Sequence, residues 1–209
     1  MELREALSQI SEIRERVAAT ERFRGYRAFP IGMTGLLAIV MATLQPNIIS
    51  QPSEAVSAYI AYWMSAAIFG IIAAGVGIWL RHRGGVNRLS RELTLLAVGQ
   101  FMPCIIAGGF ATIVIMRFAP NHSTLLPSLW QLFFSLGIFA SCRLLPKSIL
   151  IAGVWYFSIG IWNMMRSETS DAFSPWVMGI PFGLGQIATA GILYWNLERN
   201  NHDNCTGTA

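Results

Sequence analysis

Charge is what this sequence has least of. Charged residues make up 12% of its 209 residues against 54% hydrophobic ones, and the mean hydropathy is +0.49. A soluble domain carries about 25% charged residues, and a globule of this length has too little interior to hide so much apolar surface from water. A soluble fold is therefore excluded. Lysine is nearly missing: Lys147 is the only one, the other fourteen bases being arginine. The three cysteines, Cys104, Cys142 and Cys205, have no CxxC spacing, which excludes a disulfide framework or a zinc knuckle. The three histidines, His82, His122 and His202, lie outside the apolar stretches and show no HExxH spacing, so an embedded zinc protease has no ligands.

The most informative scarcity is positional. No Asp, Glu, Lys, Arg or His falls in the middle of any long apolar stretch. Ionisable groups at membrane depth are the usual mark of proton relays, ion pathways and intramembrane catalysis, so ion-coupled transport is disfavoured. Ser135, in Phe134-Ser135-Leu136-Gly137, lacks a nucleophile-elbow context and any membrane histidine to activate it. Gly75-Val76-Gly77 follows no strand, and there is no P-loop. The expectation is a protein that is not an enzyme, with no cofactor and no metal.

What the sequence has is long apolar runs. A membrane helix needs about 20 predominantly apolar residues, and reading between charges gives six: Ala28 to Leu44, Val56 to Leu80, Leu93 to Met116, Leu125 to Cys142, Ser148 to Met165 and Phe173 to Leu197. Pro30 suits a first helical turn, whereas Pro103 is expected to kink the third run. Runs four and five are separated by a few residues around Pro146, so an antiparallel hairpin is nearly forced. The predicted fold is all-α: an amphipathic cytoplasmic arm over 1–27, a bundle of six transmembrane helices over 28–197, and a short cytoplasmic tail over 198–209.

The net charge of +4 and a pI near 9.3 do not indicate nucleic acid, because the bases fall in short blocks between spans. With the N-terminus inside, thirteen of the fifteen bases lie on the cytoplasmic side and only Arg117 and Arg166 outside, as the positive-inside rule demands. Both termini are then cytoplasmic and the first span acts as an uncleaved anchor, since residues 1–27 are polar and contain no signal-peptide core. Trp63, Trp130 and Trp176 fall near the outer ends of spans two, four and six, and Trp79 and Trp195 near inner ends, where interfacial ring anchors are favoured.

In the arm, Leu3, Ala6, Ile10, Ile13, Val17 and Thr20 recur at three- and four-residue intervals opposite a charged face, which is an amphipathic helix. Its apolar stripe either lies on the bilayer or inner loops, or forms a short oligomerising coiled coil. Arg22, Arg24, Tyr26 and Arg27 follow directly, bases interleaved with aromatics just before the bilayer, a pattern suited to anionic lipid headgroups.

Packing between spans relies on small residues and a few polar side chains, because lipid tails are as apolar as leucine. Ala66, Gly70 and Ala74 in span two, and Gly179 and Gly183 in span six, predict close crossings. Trp63/Gly70, Trp130/Gly137 and Trp176/Gly183 share a seven-residue spacing that hints at related hairpins, although the Trp-to-Trp intervals of 67 and 46 residues are unequal. Gln100, Gln131, Asn163 and Gln186 are the amides inside spans and must find hydrogen bonds without water. They form either interhelical bonds or a shared intramembrane cluster around a cavity.

The segments Arg22-Phe-Arg-Gly-Tyr-Arg-Ala28, Leu126-Pro-Ser-Leu-Trp-Gln131 and Pro175-Trp-Val-Met-Gly-Ile-Pro-Phe-Gly-Leu-Gly-Gln186 resemble uncharacterised six-span bacterial membrane proteins. The resemblance implies a bacterial inner-membrane protein and carries over no catalytic residue. The functional expectation is an accessory, scaffold or sensory component of the inner membrane, with membrane lipids and a second copy or another membrane protein as partners. The alternative is a carrier or binder of a neutral or lipidic small molecule.

Overall fold

The computed structural model describes residues 28–83, 88–142, 147–169 and 171–195. The amphipathic arm, the Arg22, Arg24, Tyr26 and Arg27 segment and the C-terminal tail lie outside the described residues. Among those described there are only helices, turns and bends: α1 Ala28–Ile48, α2 Val56–Arg83, α3 Arg88–Phe118, α4 Leu126–Ser141, α5 Leu150–Met165 and α6 Pro175–Leu193. Two 3-10 turns, Pro120–Leu125 and Lys147–Ile149, lead into α4 and α5.

Five of these segments are long and apolar enough to cross a membrane, with the first 3-10 turn counted into α4; α5 is apolar but only 16 residues long. This is the make-up of an integral membrane protein. Its surface agrees, since Phe69, Ile72, Phe110, Ile113, Ile151 and Trp162 are all more than half exposed. Water would tolerate no such contiguous apolar coat.

Proline sets several boundaries. Pro175 opens α6 and Pro127 stands in the first turn of α4, positions where a missing N–H has no intrahelical partner to lose. Against expectation, α1 does not stop at Leu44 but runs through Pro46 to Ile48; α3 holds Pro103 in its interior, as the sequence placed it. A helix in hydrocarbon keeps its remaining backbone bonds because no water competes for them.

Each neighbouring pair is antiparallel, and glycine sets the distance of approach. A Cβ at Gly35 of α1 would come within 2.8 Å of the Gly183 carbonyl in α6, one at Gly183 within 2.6 Å of Ile39, and one at Gly179 would collide with Ala42. The crossing expected at Gly179 and Gly183 is therefore present, and α1 against α6 is the most extensive helix pair. In the α4–α5 hairpin, a Cβ at Gly153 would meet Phe139 at 2.5 Å and one at Gly160 would meet Leu132 at 3.0 Å. Phe101 of α3 occupies the space beside Gly137 of α4.

The helices follow one another around an arc in the order α2, α1, α6, α5, α4, α3, and no extensive contact joins its two ends, α2 and α3. One apolar cluster, centred on Tyr59, Trp63, Leu126, Phe173 and Met178, closes the end of the bundle at which α4 and α6 begin. A second, around Tyr156, Ile138, Ile149 and Leu193, fills the opposite half between α4, α5 and α6.

Candidate functional site

The site starts from a proline. Pro181 lies inside α6 and has no N–H to give the carbonyl four residues earlier, that of Val177. An unsatisfied carbonyl in hydrocarbon costs several kcal/mol. Two neighbouring helices supply the missing donors. Gln131 of α4 donates from Nε2 to the Val177 oxygen at 2.8 Å, and Asn163 of α5 reaches the same oxygen from Nδ2 at 3.5 Å. Asn163 Nδ2 also donates to Gln131 Oε1 at 3.0 Å, which fixes the orientation of the glutamine. Gln131 is fully buried, and Met178 Sδ lies 4.0 Å from its Nε2. Trp155 of α5 adds a bond from Nε1 to the Pro181 carbonyl at 3.2 Å. Three helices are thus locked around one proline.

Of the four span amides, for which interhelical bonds and a shared cluster were the two alternatives, the structure brings together Gln131 and Asn163. Gln100 is exposed on the outer surface of α3, and Gln186 is half-buried with its Cβ beside Gly35 of α1. Gln100 and Gln186 do not join the other two, so the alternative of one cluster of all four is not the arrangement found. The reason is register: only Gln131 and Asn163 stand at the level of the proline-freed carbonyl, and a long side chain elsewhere on a lipid-facing helix has no such group to reach.

A second polar junction was not legible in the sequence. Gln45 of α1, almost fully buried, donates from Nε2 to the Phe173 carbonyl in the α5–α6 connection at 3.1 Å and accepts from Trp63 Nε1 of α2 at 2.9 Å. Ending the first span at Leu44 put Gln45 in a loop; the apolar Ile48 and Ile49 beyond Pro46 were the available signal that the helix continues. Trp63 is accordingly no interfacial anchor but a buried interhelical donor. Trp130 does the same between α4 and α3, donating to Thr112 Oγ1 at 2.8 Å, while Thr112 bonds back to the Gly108 carbonyl at 2.8 Å. Trp79, Trp176 and Trp195 are about half exposed. Ser135 is sealed in the core, its hydroxyl bonded to nothing among the described residues.

Above the Gln131–Asn163 lock the bundle opens. A cleft of about 380 Å³ lies between the start of α4, the end of α5 and the start of α6. Asn163, Pro127, Ile159, Ile180 and Pro181 line it, with Arg166 and Asp171 from the α5–α6 connection and the indoles of Trp162 and Trp176. Asn163 thus belongs both to the lock and to the wall of the cleft. No group of three or more His, Cys, Asp or Glu suited to a metal exists among the described residues.

Compared with known protein families, with characterised proteins and with solved structures, the chain has no match in any of the three.

Proposed function

We propose that this chain is a non-enzymatic accessory or scaffold protein of the bacterial inner membrane, and that it self-associates within the bilayer through α2 and α3. The observation that carries this reading is the contrast between two sets of glycines. Those of α4, α5 and α6 named above are pressed against a neighbouring helix, whereas Gly75 and Gly77 of α2 and Gly99 and Gly109 of α3 have nothing among the described residues within 4 Å of where a Cβ would stand. Small residues on a lipid-facing helix surface permit a second helix to approach closely. A twofold dimer matches such a surface with itself, and twofold dimers are the commonest oligomers.

Six spans and cytoplasmic termini belong to the same proposal. Counted with the 3-10 turn before it, α5 covers residues 147–165, and an α-helical rise of about 1.5 Å per residue brings that segment near the roughly 30 Å of hydrocarbon. The distribution of arginine supports the orientation. The scattering of Gln100 and Gln186 removes the converging amides that would support a carrier.

Self-association is tested by placing cysteines at Gly77 and Gly99, in turn, in a chain without its native cysteines, and cross-linking in intact membranes. Covalent dimers that disappear with Gly75→Leu are expected. A chain that sediments as a monomer at every protein-to-detergent ratio and yields no cross-link overturns the reading.

A further inference from the structure

We propose that the cleft at the head of α4, α5 and α6 binds a zwitterion bearing a primary ammonium and an anionic group, the anion on Arg166 and the ammonium on Asn163 Oδ1 and the Asp171 carboxylate. The inference goes beyond the scaffold reading and does not depend on it.

The first observation is the state of Asn163. Both of its donated bonds run inward, to Gln131 Oε1 and to the Val177 carbonyl. Its Oδ1 accepts no hydrogen bond among the described residues, yet it is not one of the sealed-off polar atoms of the core, which are the hydroxyls of Tyr59, Ser135 and Tyr156. That acceptor therefore opens on the cleft, and the lock below fixes its position. A ligand atom meeting it must carry a proton, which selects a primary ammonium over a quaternary one.

The second observation is the pairing of opposite charges on a short rim. Arg166 and Asp171 both line the cleft, five residues apart on the connection between α5 and α6. A guanidinium presents five N–H donors in a planar fork suited to carboxylate or phosphate, and a carboxylate offers up to four acceptor positions. A zwitterion can set its anion on the guanidinium and its ammonium beside the carboxylate, which already has a partner within the fold but offers more than one acceptor position. Trp162 and Trp176 stand at the mouth, 57% and 48% exposed, and an indole face attracts an ammonium by about 0.5–2 kcal/mol.

The third observation is size and setting. A volume of about 380 Å³ lies within the range of small-ligand pockets, roughly 300–1,000 Å³. Ile159, Ile180 and Pro127 supply apolar lining, and Ile180, 43% exposed, continues it onto the outer surface of α6. Two sources offer the same chemistry: an aminophospholipid headgroup entering from the bilayer, and a free amino-zwitterion entering from water.

The test uses the full chain in phosphatidylcholine nanodiscs. O-phosphoethanolamine is titrated in and followed by tryptophan fluorescence; in parallel, the chain is extracted from vesicles of phosphatidylcholine with phosphatidylethanolamine, and native mass spectrometry reads the retained lipid. Saturable binding in at least one arm is expected, with phosphocholine about tenfold weaker or worse. Binding in both arms means that the headgroup alone suffices, and retention of phosphatidylethanolamine without response to the soluble probe assigns the bilayer as source. Arg166→Gln and Asp171→Asn, both on the exposed connection and outside the helix packing, are each expected to weaken binding about tenfold. Silence in both arms, or binding that ignores both substitutions, overturns the proposal.

Discussion

Gln131 is fully buried in a membrane bundle, and its amide serves a purpose that only a partner on another helix explains: it supplies the donor that Pro181 lacks. Removing it by Gln131→Leu leaves the Val177 oxygen with the 3.5 Å contact to Asn163 alone and leaves Asn163 without its 3.0 Å acceptor. The expected cost is about 1–3 kcal/mol, the usual penalty for orphaning a buried polar group. Pro181→Ala returns a backbone N–H to the same carbonyl. The two substitutions should therefore be non-additive, with Pro181→Ala restoring much of what Gln131→Leu removes, as a double-mutant cycle on thermal unfolding in detergent would measure. Strict additivity would mean that the two groups do not serve one carbonyl. The sequence displayed the amides and the proline, and bilayer physics said that each amide must be satisfied. It could not say which amide meets which carbonyl, because that depends on the axial register between helices 46 residues apart in the chain.

At the scale of the helix, the same residue type does opposite things in different places. A side chain at Gly183 meets Ile39 at 2.6 Å and the Gly35 carbonyl at 3.5 Å, so Gly183→Val should force α1 and α6 apart and destabilise the fold by about 1–3 kcal/mol. Gly77→Leu, where a Cβ meets nothing within 4 Å among the described residues, should leave monomer stability within about 0.5 kcal/mol; thermal unfolding of the two variants side by side gives the comparison. Equal losses would mean that α2 is packed as tightly as α6. The small-residue pattern in the sequence announced both helices alike, and Ala66, Gly70 and Ala74 looked no weaker than Gly179 and Gly183. The structure separates them: Gly70 has only Thr34 near it, at 3.8 Å. Sequence spacing reports which residues share a face, not whether a neighbour comes to that face. The tryptophans carry a related lesson. Trp63 and Trp130 each donate to a residue eighteen positions earlier, Gln45 and Thr112, so the first two hairpins use one device at an offset of 67 residues; Trp176, which would complete a third, instead lines the cleft.

For the whole molecule, the governing question is which end of the bundle faces the cytoplasm, since it decides whether the Arg166–Asp171 rim meets the exterior. The positions of the helices and the hairpin between α4 and α5 follow from apolar runs and a short connection, legible because a span must cover the hydrocarbon thickness; the helix ends were not, since α3 has 31 residues and α5 has 16. Helix α5 approaches the required length only together with the 3-10 turn before it. Orientation rests on arginine placement, and the physical cause is the cost of moving those charges across the bilayer during insertion. In a chain carrying Cys104→Ser, Cys142→Ser and Cys205→Ser, single cysteines at Glu54, Gly85 and Glu168 therefore divide the possibilities. An impermeant maleimide added to intact cells should label positions 54 and 168 and reach position 85 only after permeabilisation. Labelling at 54 but not at 168 would mean that α4 crosses and α5 does not, leaving the Arg166–Asp171 rim on the cytoplasmic side. Labelling at 85 from outside would invert the entire molecule, and with it the side from which any ligand of Arg166 must come.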